Sequence, residues 1–293
     1  MPADLPRAAP LFDSEALAAA ASHADDSHYR WLATSDDPEA EALRAGLERC
    51  FRLAGARGGE LRRALQHERW GQHAGALGHL LTLGLLAAQG WRVASEPEME
   101  GQSPDILALQ GDVRMLVEVR SVSGAGAFPW EHRKATGRGL TPDEREALAQ
   151  NVALILQRKA DIYRPLVQRL AIPYVICLYQ DKDTEISSIA RELLYGRTAS
   201  LEALEPRDPA GGAFGDDFSD LRHVTAVLVF GRLDTRGGEL LLQGDLLENP
   251  FATSPLPPVA RFPGLRRYAL DPALKPPRAR WAGLRPQPFG LGA

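Results

Sequence analysis

Residues Trp91–Ser121 read WRVASEPEMEGQSPDILALQGDVRMLVEVRS, and this stretch decides the fold. It divides into three extended segments, Trp91–Glu96, Asp105–Leu109 and Met115–Ser121, with breaks at Glu98–Ser103 and at Gln110-Gly111-Asp112. Short runs rich in Val, Ile and Leu, bounded by Gly, Pro and Asp, are the strand signal. Two residues do not suit plain strands. Asp105 opens the second segment, and Glu118 stands inside MLVEVRS between apolar neighbours. A carboxylate buried in an apolar run is costly unless it is paired or binds a cation. Two on adjacent strands suggest a site.

The chain has 293 residues, enough for one large domain or a core with additions. It is 44% hydrophobic and 25% charged, as in ordinary globular proteins. No apolar run is long enough to span a bilayer, and MPADLPRAAPLFDSEAL lacks the basic start and apolar core of a signal peptide. Cys50 and Cys177 make no disulfide framework. A cytoplasmic location without membrane contact is therefore expected. The net charge of −4 is unevenly spread: residues 1–50 hold ten acidic and four basic side chains, whereas residues 256–293 hold seven basic ones and Asp271. Such asymmetry fits a nucleic-acid binder or a solvated tail.

Outward from the central stretch the elements alternate. Ser14 can cap a helix over 15–21. Asp37-Pro38 opens a second, with Leu43, Leu47 and Phe51 on its apolar face and Gly55 as its stop. After Gly58-Gly59 a long helix is expected from about Glu60 to Gln89, ended by Gly90; its half ALGHLLTLGLLAAQ is apolar on most sides and belongs against a sheet. The polar loop 124–140 precedes Thr141-Pro142-Asp143-Glu144, a capping box with proline at the first helical position. The helix it opens runs to about Leu170 with a kink at Pro165. IPYVICLYQ (172–180) reads as a strand buried on both faces. A helix over 184–195, a strand over 224–230 and a shorter one over 239–243 follow. From Asn249 the chain is dense in proline and is expected to lie extended on the surface. The order implies an α/β fold with a mixed sheet flanked by helices. Residues 1–59 read as a helical extension, 60–232 as the core, and 233–293 as a Pro-rich basic segment packed on it.

Twelve residues lie between Asp105 and Glu118, a span that lets both side chains share one face of a hairpin. Two hard oxygen ligands so placed suit Mg²⁺. The plainer alternative is a turn aspartate and a salt-bridged strand glutamate.

Pro104-Asp105, a hydrophobic strand, then Glu118-Val119-Arg120 resembles the PD-(D/E)xK, or restriction-endonuclease-like, nuclease superfamily. The surroundings agree: a helix ending in Gly90-Trp91, a helix carrying Lys159, Ala160 and Tyr163 after the motif, and then an apolar strand. The likeness covers roughly residues 67–180, and extends at most to Phe230. It implies a core of helix, three-strand meander, helix and strand, and a Mg²⁺-dependent nuclease (Mn²⁺ the alternative ion) that hydrolyses phosphodiesters with a metal-activated water, DNA being the expected substrate. Asp105 and Glu118 become the metal ligands, with the Val119 carbonyl as a third. The departure is Arg120 where the family has lysine, because arginine stays protonated and cannot act as a base. It can still stabilise charge on phosphate oxygens. Lys159 and Lys134 are the substitute lysines to examine, since helix-borne lysines replace the strand one in parts of the superfamily. Glu68 and His79 are auxiliary candidates on the preceding helix, with helix-surface or core polar roles as the alternative. Trp130, Arg133, Lys134 and Arg138 in the 124–140 loop are nucleic-acid-binding candidates. The competing expectation is an inactive nuclease-fold module that binds nucleic acid or protein, for example in a defence system. The N-terminal helices then offer a surface for a protein partner or a second copy.

Overall fold

The computed structural model describes residues 10–24, 27–67, 69–122, 140–179, 185–195, 221–236, 239–260, 262, 265–271 and 278–282. The central stretch forms an antiparallel meander of β1 (Arg92–Ser95), β2 (Ile106–Gln110) and β3 (Val113–Ser121). Gln110 pairs with Val113, so Gly111-Asp112 is a two-residue hairpin turn, and Gly111 has φ +58°, a conformation in which a Cβ is strained.

Seven α-helices are described: α1 (Ser14–Ala21), α2 (His28–Thr34), α3 (Pro38–Phe51), α4 (Gly58–Leu65), α5 (Trp70–Ala88), α6 (Pro142–Leu170) and α7 (Glu185–Tyr195). Beyond β3 the strands run parallel, because α6 returns the chain to the start of β4 (Tyr174–Tyr179) and α7 lies between β4 and β5 (Ala226–Arg236). β6 (Glu239–Glu248) pairs antiparallel to β5, β7 (Leu265–Asp271) parallel to β6, and β8 (Arg278–Ala282) antiparallel to β7. The result is one mixed sheet of eight described strands in chain order.

Both faces of the sheet are covered. Met115, Val117 and Val119 of β3, with Val175, Cys177 and Tyr179 of β4, belong to the core beneath α2–α5. Leu116, Ile176 and Leu178 belong to the core beneath α6 and α7. Period-two alternation therefore turns Glu118 toward α6. The apolar half of α5 is buried as its composition requires: Leu77, Leu80, Leu81 and Leu83 are fully enclosed. Each such side chain stabilises by about 1.5–3 kcal/mol.

Several expectations need correction. The helix expected over 60–89 is two helices. Arg69 takes an extended conformation (φ −72°, ψ 115°), its N–H donating to His67 Nδ1 at 2.9 Å. The polar run after Leu65 offers no apolar residue to continue a buried face. α1 is capped by Asp13, whose Oδ1 accepts from Ala16 N, one residue earlier than Ser14. α2 was not legible: its seven residues are a weak pattern, held by burial of Tyr29, Leu32 and Ala33. α6 continues past Pro165 to Leu170 and ends at Ala171 in the left-handed region. The C-terminal segment does not simply lie on the surface. β5 runs across the boundary drawn at 232/233, β6 extends to Glu248, and β7 and β8 enlarge the same sheet. The prolines at 250, 255, 257 and 258 sit in the connection between β6 and β7, and Pro263 lies outside the described residues.

Candidate active site

Extending the β2–β3 register by one step past Ile106↔Val117 places Asp105 opposite Glu118. Here side chains take over from the strand ladder. Val119 N donates to Asp105 Oδ2 (2.7 Å), and Asp105 N donates to Glu118 Oε2 (3.3 Å). Upstream, Glu96 N donates to Asp105 O (2.8 Å), which ties β1 to the same point. Each carboxylate is thus positioned by backbone N–H groups of the neighbouring strand.

Two cations meet them. Arg120 Nη2 lies 2.6 Å from Glu118 Oε1, and its Nη1 lies 3.6 Å from Asp105 Oδ2 and donates to Val119 O at 3.0 Å. Lys159 Nζ reaches down from α6 to Glu118 Oε1, also at 2.6 Å. Glu118 is fully buried, the Lys159 side chain is 15% exposed and that of Arg120 38%. Burial raises the pKa of Glu118, and the neighbouring Asp105 charge raises it further, against the pull of Arg120 and Lys159. Burial also raises Asp105, against Arg120 and the Val119 N–H.

α6 is strapped where it carries Lys159. Tyr174 Oη donates to Lys159 O (3.1 Å), His223 Nε2 to Ala160 O (2.8 Å) and Gln102 Nε2 to Ile162 O (3.0 Å). Proline at 165 withdraws the N–H that Asp161 O would receive in a regular helix. Tyr163 Oη donates to Ser103 O (3.0 Å), tying the segment before Pro104 to α6, and Lys159 Nζ lies 5.9 Å from the Tyr163 ring centroid. Burial and the nearby carboxylates raise the Tyr163 phenol. Ser103 and Tyr174 carried no sequence signal for this role; Tyr163 did, one helical turn after Lys159.

The structure therefore brings together Asp105, Glu118, Arg120 and Lys159. His79 stands on α5, its Nε2 2.9 Å from Ser95 Oγ. Burial lowers its pKa to about 4, with the charges of Glu118 and Arg120 acting on it in opposite directions. It is a neutral polar group beside the site. Glu68, Trp130, Arg133, Lys134 and Arg138 lie outside the described residues. Cys50 and Cys177 are buried free thiols, and burial pushes both up to about 12.

Asp105 Oδ2, Glu118 Oε1 and Val119 O are hard oxygens, and two carboxylates suit Mg²⁺, which keeps several waters. They fit that ion in kind. Among the described residues no group of three or more His, Cys, Asp or Glu is arranged to hold a metal, so a carbonyl and waters must complete any shell. All three oxygens converge on one guanidinium, that of Arg120. A groove of about 610 Å³, lined by Phe12, Leu17, Arg44 and Glu48, belongs to the N-terminal helices instead. Among the described residues no helix is long and apolar enough to cross a membrane. Comparison with protein-family models, with curated proteins and with solved structures finds no match.

Proposed function

We propose that the chain is a divalent-metal-dependent nuclease that hydrolyses phosphodiester bonds, DNA being the first substrate to test, with Lys159 in place of the lysine missing from β3. The observation that supports it most is the 2.6 Å contact of Lys159 Nζ with Glu118 Oε1, on the carboxylate that Asp105 N and Arg120 also hold. Asp105, Glu118 and the Val119 carbonyl would hold Mg²⁺. When bound, Mg²⁺ makes a coordinated water more acidic and offsets negative charge on the phosphoryl group. Lys159 is the group that orients the attacking water, its ammonium fixed by Glu118 and by the straps on α6. Arg120 donates hydrogen bonds to the non-bridging phosphate oxygens, where charge develops.

One observation favours a second reading. Two carboxylates face two cations, and Arg120 contacts both acids, so the cluster is neutral without a metal. That arrangement suits a nuclease-fold module that binds without cutting. Incubation with single-stranded DNA, duplex DNA and RNA in Mg²⁺ or Mn²⁺ separates the two. Cleavage that disappears in Asp105→Ala and Glu118→Ala and falls steeply in Lys159→Met is the expected result. Unchanged cleavage in the two carboxylate variants would refute the site, and no cleavage of any substrate would leave the binding module.

A further inference from the structure

We propose that Arg120 is a built-in competitor for the divalent ion: its guanidinium takes the place of the metal in the resting site and must swing out before the ion binds. The inference rests on the metal-site reading above and concerns what opposes that binding.

The geometry points this way on three counts. First, Arg120 engages the same oxygens that a metal would use, with Nη2 on Glu118 Oε1 and Nη1 on Val119 O and near Asp105 Oδ2. A planar guanidinium presents donors in a fixed fork and can satisfy several acceptors at once, which a lysine ammonium on the same strand position does less completely. Second, the side chain can leave. It is 38% exposed, so its charge can reach water by rotating about its own stem, whereas Glu118 is fully enclosed and Lys159 nearly so. Third, its departure does not strand a bare buried charge. Lys159 stays on Glu118 Oε1, Asp105 Oδ2 keeps the Val119 N–H, and an incoming dication supplies the missing positive charge. A displaced Arg120 then faces solvent beside the site, where a phosphate oxygen is the partner its fork suits best.

The test uses the full-length chain and Mn²⁺ alone, with free Mn²⁺ followed by electron paramagnetic resonance and no nucleic acid present. Wild type is expected to bind weakly. Arg120→Gln removes the competitor while keeping a polar side chain, and its Mn²⁺ affinity rises by roughly ten-fold or more, the factor that corresponds to about 1.4 kcal/mol of relieved competition. Arg120→Lys, the more conservative change and the fallback if the glutamine variant does not fold, lies between the two. Asp105→Asn abolishes binding in every background. Equal or weaker affinity in Arg120→Gln, with Asp105→Asn still abolishing it, overturns the competitor and leaves the metal site standing. No Mn²⁺ binding by wild type or Arg120→Gln overturns the metal site, and the competitor with it.

Discussion

Acid should weaken this protein through its buried neutral imidazoles, of which His73 is the more deeply enclosed. His73 on α5 is 2% exposed. Its Nδ1 contacts Leu65 O at 2.5 Å and its Nε2 contacts His28 Nδ1 at 2.8 Å. A carbonyl only accepts, so Nδ1 carries the His73 proton, Nε2 is unprotonated and the proton between the rings belongs to His28. A second proton on His73 would set two N–H groups against each other between two buried rings. Burial accordingly lowers its pKa from 6.5 to about 4. The folded value is depressed, so between these two values the unfolded chain holds a proton that the native chain excludes. Stability is then lost as pH falls through the window, at about 1.4 kcal/mol per pH unit, and reaches about 3 kcal/mol. That is a large part of the 5–15 kcal/mol typical of a domain. The assay is urea unfolding of wild type and His73→Asn across roughly pH 4 to 7. Asparagine keeps a donor for Leu65 O and does not titrate. The raised carboxylates act with the opposite sign, because the native chain keeps their protons longer and stability falls as pH rises through their window. They are common to both proteins and cancel in the difference. The variant should gain on wild type steadily as pH falls below about 6.5; a flat difference curve would refute the buried neutral imidazole.

Three further outcomes are expected. Lys159→Met should lower the metal-dependent cleavage rate by about 10²–10⁴ while Arg120→Lys keeps or raises it; the reverse pattern would give the arginine a dedicated role. Mn²⁺ affinity should climb as pH rises above the ordinary carboxylate range, by up to about ten-fold per unit for each proton displaced, because burial raises both Asp105 and Glu118 and the ion needs them ionised; calorimetry showing no change above that range would contradict this. Gly78→Ala places a Cβ 2.7 Å from Tyr179 Cβ and 2.9 Å from its Cγ, where α5 crosses a fully buried ring on β4; urea unfolding should show a loss of about 1–3 kcal/mol, and an unchanged midpoint would mean that the contact can relax.

What could be seen in the sequence was what local chemistry dictates. The two-residue turn at Gly111-Asp112 sets the register of β2 on β3, and that register puts Asp105 across from Glu118. The capping box at Thr141 and Glu144 is present, with Glu144 N donating to Thr141 Oγ1 and Thr141 N to Glu144 Oε2. Lys159 was visible because α6 is long and regular, so its spacing from Tyr163 carried over directly. What escaped depends on tertiary contact. The break between α4 and α5 leaves only a short polar run to read, and α2 is a helix because its neighbours bury it. β7 and β8 extend the sheet in chain order but hide behind a proline-rich connection. The part played by Arg120 was open in the sequence, and side-chain geometry shows its guanidinium against both acids.

A carboxylate cluster of this kind is hard to explain by stability alone. Taking ions out of water costs several kcal/mol apiece, and well-packed apolar residues in place of a buried ion pair are often as stable or better. Here the expense is compounded. The Asp105 charge adds to the cost of burying Glu118, the first step of the β2–β3 ladder is given over to side-chain acceptors, and α6 is strapped by Tyr174, His223 and Gln102 where Lys159 projects. A purely structural ion pair between β3 and α6 would need only Glu118 and Lys159. The second acid and the part-exposed arginine add nothing to the anchoring of α6, yet they gather three oxygens and a second cation where β3 runs on past its pairing with β2. On the proposed reading the cluster is a group able to exchange one cation for another, which is why the Arg120 variants test more of the proposal than any other substitution.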